Sequence, residues 1–304
     1  MVITVYTHGQ LLNLLVRELD LAASRRHLKQ AAARSTMKLL RLASLPVAFL
    51  VPPHQKLVPA IPDPSLMLPV GAQSFPESML MIVGYVVPLV AIFAVARALD
   101  KTDFCISALA LTQCVGLAMF TTTVAKKMAG RPRPCFYAMC GWVSNSTEIG
   151  GGHCTAPMLR QWEARQSFPS GHSSFSMAGL AFLGMYLLEK SDQLQRPPRM
   201  LTALQLQGIQ LGALAPFALA LWVAISRTTD YWHHYSDVLA GSAWGFAVAS
   251  HSFGQRRRLR AMAEDRHADA TKRAARVSDG AAESVDDPML PTSALRDDEI
   301  REVV

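Results

Sequence analysis

The chain has 304 residues, of which half are hydrophobic and only 17% are charged, and its formal net charge is +7. Soluble domains carry roughly a quarter charged residues, so this composition argues against an ordinary soluble protein. The positive charge lies mainly beside apolar segments, where attraction to an anionic membrane surface explains it. No nucleic-acid-binding motif accompanies it, and no nucleic-acid partner is predicted.

The N-terminal segment, residues 1–75, is basic and contains one weak apolar run. Residues 11–41 mix leucine and alanine with arginine and lysine, a pattern typical of a helix lying on a membrane surface. A transit peptide is a weaker alternative, because Glu18 and Asp20 interrupt the positive charge. Residues 42–51 are apolar over about ten positions, half the length that a membrane span needs.

Five longer apolar segments occupy residues 76–254, and each predicts a transmembrane helix. About 20 mostly apolar residues are needed to cross roughly 30 Å of hydrocarbon. The segments are 78–99, 105–125, 174–188, 208–225 and 238–253, of which the third is short. The sequence therefore predicts an all-α fold, a polytopic membrane helix bundle with five clear spans and a weak sixth.

The C-terminal tail, residues 255–304, is polar and lacks apolar periodicity, which predicts disorder. It opens with four basic residues, Arg256, Arg257, Arg258 and Arg260. The positive-inside rule assigns such a segment to the cytosol. Alternation of the five spans then places connections 126–173 and 227–237 on the luminal or extracellular side. The side of the N-terminus depends on whether the weak run crosses, and both arrangements stay open.

The long luminal connection contains three cysteines, Cys135, Cys140 and Cys154. Disulfides form in such an oxidising environment, but three cysteines cannot all pair. We favour Cys140 with Cys154, which would close the irregular loop. A zinc site with His153 is disfavoured, because neither CxxC nor HxxxH spacing is present. Asn145 begins a glycosylation acceptor triplet in the same loop.

Polar and charged residues collect in three clusters, 126–134, 167–174 and 226–237. Under the alternating topology all three lie on one side of the membrane, so distant parts of the chain converge there. Ionisable residues at such positions usually serve a function. Arginine binds two phosphoryl oxygens at once and lysine supplies a point charge. A clamp for a phosphoryl group is therefore predicted, formed by Lys126, Arg133 and Arg227.

The second and third clusters supply the remaining site residues. Ser170 and Gly171 precede an apolar helix, where backbone N–H groups and the Ser170 hydroxyl bind an anion, so phosphate needs no metal or other cofactor. Two histidines divide the chemistry: His233 attacks phosphorus and His172 protonates the leaving alcohol. Asp237, four residues after His233, would accept from one ring nitrogen and fix the tautomer.

Each of these residues alone has a plainer interpretation. A lysine or arginine at the end of a span usually reaches out of the hydrocarbon as an anchor. We assign that role to Lys127, Arg131 and Arg160. Three other histidines are interpreted as structural or exposed: His153, His234 and His251. The joint placement of the site residues on one side favours a functional site.

The three clusters resemble the three signatures of the type 2 phosphatidic acid phosphatase, or lipid phosphate phosphatase, superfamily. The first signature, Lys, six residues, Arg-Pro, matches Lys126 and Arg133-Pro134. The second, Pro-Ser-Gly-His, matches residues 169–172. The third, Ser-Arg, five residues, His, three residues, Asp, matches Ser226, Arg227, His233 and Asp237. The text around them resembles the eukaryotic membrane branch, which acts on phosphatidate and diacylglycerol pyrophosphate.

The resemblance covers residues 76–254 and implies a six-helix membrane bundle with metal-independent hydrolysis. It implies a phosphohistidine on His233 and protonation of the leaving group by His172. It also implies a phosphate-binding set of Lys126, Arg133, Ser170, Gly171 and Arg227. The chain departs from the family in its first helix, which is here a short run containing proline.

Three alternatives stay open beside phosphatidate hydrolysis. The signatures say little about the alcohol, so a polyisoprenyl pyrophosphate or sugar phosphate phosphatase fits them as well. A silent membrane protein that only binds phosphate is less favoured, because both histidines and Asp237 are retained. A function like that of the related vanadate-dependent haloperoxidases is disfavoured, because those proteins are soluble and this chain is predicted to span a membrane. The membrane is that of the endoplasmic reticulum, the cell surface or another endomembrane, and the oligomeric state is not predicted.

Overall fold

A computed structural model describes residues 51–56, 58, 63–144, 152–194 and 202–283. Three of the sequence-based predictions fall wholly or almost wholly outside these residues: the surface helix at 11–41, the weak span at 42–51 and the glycosylation triplet at Asn145. The described part of the chain is mostly helical, as predicted.

Eight α-helices and one short hairpin follow in chain order within the described residues. The helices are α1 Glu77–Leu99, α2 Asp103–Ala129, α3 Phe136–Cys140, α4 Met158–Ala164, α5 Gly171–Leu194, α6 Ala203–Gly212, α7 Ala215–Thr229 and α8 Tyr235–Glu283. The strands β1 Trp142–Ser144 and β2 Gly152–Cys154 pair antiparallel, with Trp142 opposite Cys154. Helix α1 contains one π-helical turn, Ile82–Val86.

Three helical stretches of the described chain are long and apolar enough to cross a membrane: α1, α2 and Ala203–Thr229, which combines α6 and α7. The all-α membrane class is therefore supported, whereas the predicted count of five spans is not confirmed. Helix α5 is less apolar because it begins with buried serines and ends with charged residues. Helix α8 is apolar only in its first half and charged beyond it.

Helix α5 lies at the centre of the bundle and packs against α7, α2 and α1. Its buried side chains, among them Leu180 and Phe182, form the main core with residues of the surrounding helices. The helix approaches α1 closely, since a Cβ at Gly179 would overlap the carbonyl of Gly84 in the π-helical turn. Glycine at position 179 thus lets α5 lie directly against α1 at the π-helical turn.

Two backbone features redirect the chain where the first and third polar clusters lie. Helix α2 ends at Gly130, whose left-handed φ of 54° allows its N–H to bond the Lys126 carbonyl at 3.1 Å. After α7, Tyr231 adopts a φ of 61°, which is uncommon for a residue other than glycine. The N–H groups of Trp232 and His233 both return to the Arg227 carbonyl, each at 3.1 Å. The chain is thereby reversed before α8 begins.

Residues 135–144 and 152–164 form a small cap that contains α3, the hairpin and α4. A disulfide joins Cys140 to Cys154, which confirms the favoured pairing. Cys135 is free and buried, and it packs in the same apolar cluster as Phe136. The cap is therefore covalently closed and has its own small core.

The chain divides into two compact units after Arg258. The sequence predicted disorder from Gln255 onward, whereas helix α8 continues to Glu283. Alanine, arginine, glutamate and lysine are strong helix formers. Arg260 Nε also bonds Glu264 Oε1 one turn later at 2.7 Å. Helix propensity thus accounts for the part of α8 after Gln255, which has no apolar periodicity.

A buried ionic network joins three helices around Asp103, the first residue of α2. Arg256 of α8, which is 0% exposed, bonds both Asp103 oxygens at 2.6 and 2.7 Å. Lys190 of α5 contacts Asp103 Oδ2 at 2.7 Å, and Glu189 accepts from Arg256 at 2.6 Å. The network therefore links α2, α5 and α8.

We expect Asp103→Asn to destabilise the bundle by about 3 kcal/mol, because it leaves two buried cations without their shared carboxylate. Thermal unfolding of the purified protein in detergent would show a fall in Tm of roughly 10 °C. Arg258→Gln, at an exposed position of α8, is the matched control and should leave Tm within about 2 °C of the wild type. Equal values for Asp103→Asn and the control would contradict a stabilising role.

Candidate active site

A cavity of about 60 Å³ lies where the three polar clusters meet. Its lining residues are Gln73, Glu77, Lys126, Arg133, Glu163, His172, Arg227, Trp232 and His233. Five of the predicted site residues are among them, while Ser170, Gly171 and Asp237 are not. Lys126 lies in the last turn of α2 and Asp103 at its start, so the cavity and the ionic network are at opposite ends of this helix.

The first cluster contributes two cations that are held by main-chain carbonyls. Lys126 Nζ donates to the Gln166 carbonyl at 3.1 Å. Arg133 donates from Nε to the Glu163 carbonyl at 2.9 Å and from Nη1 to the Trp232 carbonyl at 3.1 Å. The guanidinium also lies over the Trp232 ring, 5.0 Å from its centre. A carbonyl carries no formal charge, so these contacts do not neutralise either side chain. Two carboxylates, those of Glu77 and Glu163, also line the cavity, and that of Glu163 is 3.8 Å from Arg133.

Arg227, in the last turn of α7, is held by a carboxylate as well as by a main-chain carbonyl. Its Nη2 pairs with Asp230 Oδ2 at 2.6 Å, and its Nη1 donates to the Phe75 carbonyl at 3.2 Å. Asp230 also accepts from Ser74, from N at 2.8 Å and from Oγ at 2.7 Å. Within the described residues the buried Arg227 Nε has no hydrogen-bond partner, which leaves a donor that a ligand oxygen can satisfy.

The two histidines are each oriented by a main-chain carbonyl. His172 Nε2 donates to the Phe75 carbonyl at 2.9 Å. His233 Nδ1 donates to the Ser167 carbonyl at 2.7 Å. A carbonyl only accepts, so Nδ1 of His233 carries the proton and Nε2 has the lone pair. That lone pair accepts a hydrogen bond from Arg133 Nη1 at 3.3 Å, beside the cavity.

The electrostatic surroundings keep His233 neutral. Burial disfavours the charged ring, and with the cations Arg133 and Lys126 it holds the pKa of His233 well below its usual range. A neutral imidazole with its lone pair on the nitrogen facing phosphorus is the form that acts as a nucleophile.

Asp237 binds Arg131 and Ser167 more closely than it binds His233. Its Oδ1 pairs with Arg131 Nη1 at 2.6 Å, and its Oδ2 accepts from Ser167 Oγ at 2.5 Å. His233 Nδ1 is 3.8 Å from Oδ2, within range of an ion pair but too far for a hydrogen bond. The predicted contact assumed one helical turn, but helix α8 begins only after His233.

Ser170 and Gly171 lie behind the cavity lining. The Ser170 N–H donates to the Asp237 carbonyl at 2.9 Å, and its hydroxyl accepts from Ser173 Oγ at 2.9 Å. Lys126 passes beside Gly171, where an added Cβ would lie 3.5 Å from Nζ. Direct phosphate contacts from Ser170 and Gly171 stay predictions.

Arg131 is the residue whose position departs most from its sequence interpretation. It was interpreted as a membrane anchor, but its guanidinium bonds Ser236 Oγ at 2.7 Å in addition to Asp237. The available signal in the sequence was its position two residues before Arg133, between glycine and proline.

Two other residues that were interpreted as structural or as anchors also have partners near the site. Lys127 lies over the Trp162 ring at 5.4 Å, and His234 Nε2 is 3.2 Å from the Pro132 carbonyl.

Comparison with known proteins finds one matching family, the PAP2 superfamily, over residues 107–261. A PA-phosphatase related-family protein of Dictyostelium discoideum is 33% identical over 66% of this chain and 69% of its own. Lipid phosphate phosphatase 1 of Arabidopsis thaliana is 35% identical over 49% of this chain and 44% of its own. Phospholipid phosphatase 2 of Bos taurus is 36% identical over 51% and 54%. The match thus spans about half the length of the latter two relatives. No solved structure matches the chain.

Proposed function

The chain belongs to the PAP2 superfamily, and we propose that it is a membrane lipid phosphate phosphatase that acts through a phosphohistidine on His233. The observation that carries this proposal is one small cavity whose lining brings together Lys126, Arg133, His172, Arg227 and His233. The named relatives are lipid and phospholipid phosphatases. The substrate class that we assign is a phosphatidate-type phosphomonoester.

The proposed reaction has two steps. His233 Nε2 forms a bond to phosphorus, the phosphorus–oxygen ester bond breaks, and the departing alkoxide takes a proton from His172. Water then attacks the phosphohistidine and gives a proton to His172, and the nitrogen–phosphorus bond breaks to give inorganic phosphate, free His233 and reprotonated His172. Arg133, Arg227 and Lys126 bind the charged equatorial oxygens throughout.

The size and position of the cavity support a lipid phosphate. At about 60 Å³ it is far smaller than the 300–1,000 Å³ of sites that enclose drug-sized ligands. A phosphoryl group fits, whereas acyl chains would remain outside. Because α1 and α2 are apolar enough to span a bilayer, the chains can stay in lipid while the headgroup reaches the cavity.

We also propose that five helices cross the membrane and that the cavity opens on the luminal or extracellular side. The cap disulfide between Cys140 and Cys154 supports an oxidising environment next to the cavity. The basic residues that follow α8's apolar half belong to the other side by the positive-inside rule.

The test of the function is phosphate release by the purified protein in detergent, with EDTA present. We expect turnover of phosphatidate under these conditions, because side chains alone supply the clamp. A panel of phosphatidate, lysophosphatidate, a sphingoid phosphate, diacylglycerol pyrophosphate and dolichyl pyrophosphate separates the main proposal from the polyisoprenyl alternative. A sugar phosphate in the same panel tests a water-soluble substrate. A strict requirement for magnesium would sink the metal-free mechanism.

The lowered pKa of His233 predicts activity that persists into mildly acidic solution. Only the neutral ring is nucleophilic, so a pKa below the usual value of about 6.5 moves the loss of activity to lower pH. The measurement is kcat/KM against pH for two substrates whose phosphates titrate differently. An acid limb common to both belongs to the enzyme, and we expect it below pH ~6.5. A common limb above that value would contradict a neutral, buried nucleophile.

The assignment of His172 as the acid predicts a dependence on the leaving group. We expect His172→Ala to slow hydrolysis of an alkyl phosphate by about 10²- to 10³-fold, since an alkoxide leaves poorly without a proton. An aryl phosphate with an acidic phenol should be slowed by less than about tenfold. Steady-state kcat on both substrates is the measurement. Equal losses on the two would assign His172 to phosphate binding.

A further inference from the structure

Ser167 connects three parts of the active site through three hydrogen bonds. It is fully buried, at 0% exposure. Its N–H donates to the Arg131 carbonyl at 3.0 Å. Its carbonyl accepts from His233 Nδ1 at 2.7 Å, and its hydroxyl donates to Asp237 Oδ2 at 2.5 Å. None of the proposed steps uses this residue, and it does not line the cavity.

Oδ2, the Asp237 oxygen that faces His233, has no accepting position left for it. Oδ1 is taken by Arg131 at 2.6 Å, and Oδ2 accepts both the Ser167 hydroxyl and the His234 N–H, the latter at 3.0 Å. A carboxylate oxygen accepts about two hydrogen bonds, so Oδ2 is fully used. The distance of 3.8 Å to His233 Nδ1 agrees with this count.

We propose that Ser167 is a positioning residue through which Asp237 acts on His233: its carbonyl selects the Nδ1–H tautomer, and its hydroxyl fixes that carbonyl against the carboxylate. The inference rests on the proposed function, in which His233 Nε2 attacks phosphorus. When that bond forms, positive charge develops on the ring. The negative end of the Ser167 carbonyl dipole stabilises this charge at Nδ1. The Asp237 carboxylate, bonded to the Ser167 hydroxyl, keeps the carbonyl in place.

The first test compares Ser167→Ala with the wild type. Loss of the hydroxyl frees the carbonyl to turn and lets the neutral ring adopt the Nε2–H tautomer, which has no lone pair for phosphorus. We expect kcat on phosphatidate to fall by about 10- to 100-fold, as for other groups that orient a functional histidine, with KM within about twofold. Ser167→Thr, which keeps the hydroxyl, should recover most of the loss. Ser191→Ala removes another buried hydroxyl, bonded to the Leu188 carbonyl in α5, and should match the wild type.

A double-mutant cycle separates this route from a direct contact. If Asp237 acts through Ser167, adding Ser167→Ala to Asp237→Asn costs nothing further, because the link is already broken. If the two residues act independently, the losses multiply. Multiplied losses, or a Ser167→Ala variant as active as the wild type beside an impaired Asp237→Asn variant, would overturn the proposal.

A readout without catalysis keeps this inference distinct from the proposed function. In protein labelled with ¹⁵N-histidine, NMR shifts of the ring nitrogens distinguish the two neutral tautomers, and the His233→Gln variant identifies the His233 signals. We expect the Nδ1–H form in the wild type and a mixture in Ser167→Ala. An Nε2–H wild type would refute the role of Ser167 whether or not the protein hydrolyses lipid phosphates. Absence of hydrolysis together with the expected tautomers would refute only the proposed function.

Discussion

Replacing His233 by alanine is expected to lower phosphate release by at least about 10⁴-fold, because the attacking atom is removed and the first step has no substitute. The neighbouring cations remain in place, so phosphate binding should weaken far less than turnover. Initial rates on phosphatidate micelles give kcat, and a mixed-micelle titration gives KM. The expected pattern is a loss almost wholly in kcat.

The control for this variant is His153→Gln, which changes an exposed histidine in the hairpin of the cap. It should retain full activity, because its side chain does not line the cavity. Thermal unfolding of both variants shows whether a loss comes from misfolding. Retained turnover in a folded His233→Ala protein would overturn the assignment of the nucleophile under every phosphatase reading of the chain.

The change Arg133→Lys is expected to lower kcat/KM by about 10²-fold although the positive charge is kept. The carbonyls of Glu163 and Trp232 fix Nε and Nη1 of Arg133, which holds the guanidinium over the Trp232 ring, 5.0 Å from its centre. Lysine cannot make both contacts or stack as a plane, so its charge is no longer held at the reacting oxygens. Loss of one fixed donor typically costs 10²–10³ in rate, about 3–4 kcal/mol at most.

Arg165→Lys is a matched control for this prediction. Arg165 also lies over an aromatic ring, that of Phe136 at 4.9 Å, and donates to a main-chain carbonyl, that of Lys56 at 2.7 Å. It does not line the cavity. If both substitutions reduced activity equally, the loss would be explained by disturbed folding of the cap and not by weaker phosphate binding. A loss confined to Arg133→Lys supports its role in binding phosphate.

The sequence was sufficient to predict which clusters meet. Lys126, His172 and Arg227 belong to segments far apart in the chain, and alternating spans place all three at one end of a bundle. Their residue types then predict an anion site. The sequence does not identify the acceptors of their hydrogen bonds, because every residue has a main-chain carbonyl. That the carbonyls of Phe75 and Ser167 are the acceptors is seen only in the structure.

The differences from prediction also have local causes. The spacing of His233 and Asp237 suggested one turn of helix, but the left-handed Tyr231 reverses the chain first and His233 lies before α8. The span predicted at α5 is not confirmed, because this helix begins with buried serines, which are tolerated where other helices surround them. Absence of apolar periodicity predicted disorder after Gln255, although the composition there favours helix.

Five main-chain carbonyls accept from the cations and histidines of the site: those of Phe75, Glu163, Gln166, Ser167 and Trp232. A carbonyl is present whichever amino acid occupies a position, so exchanging Gln166 leaves the acceptor of Lys126 in place. Adding or deleting one residue between positions 163 and 167 would instead displace three acceptors together. Apart from Ser167, this segment should therefore tolerate amino-acid substitutions during evolution but not insertions or deletions.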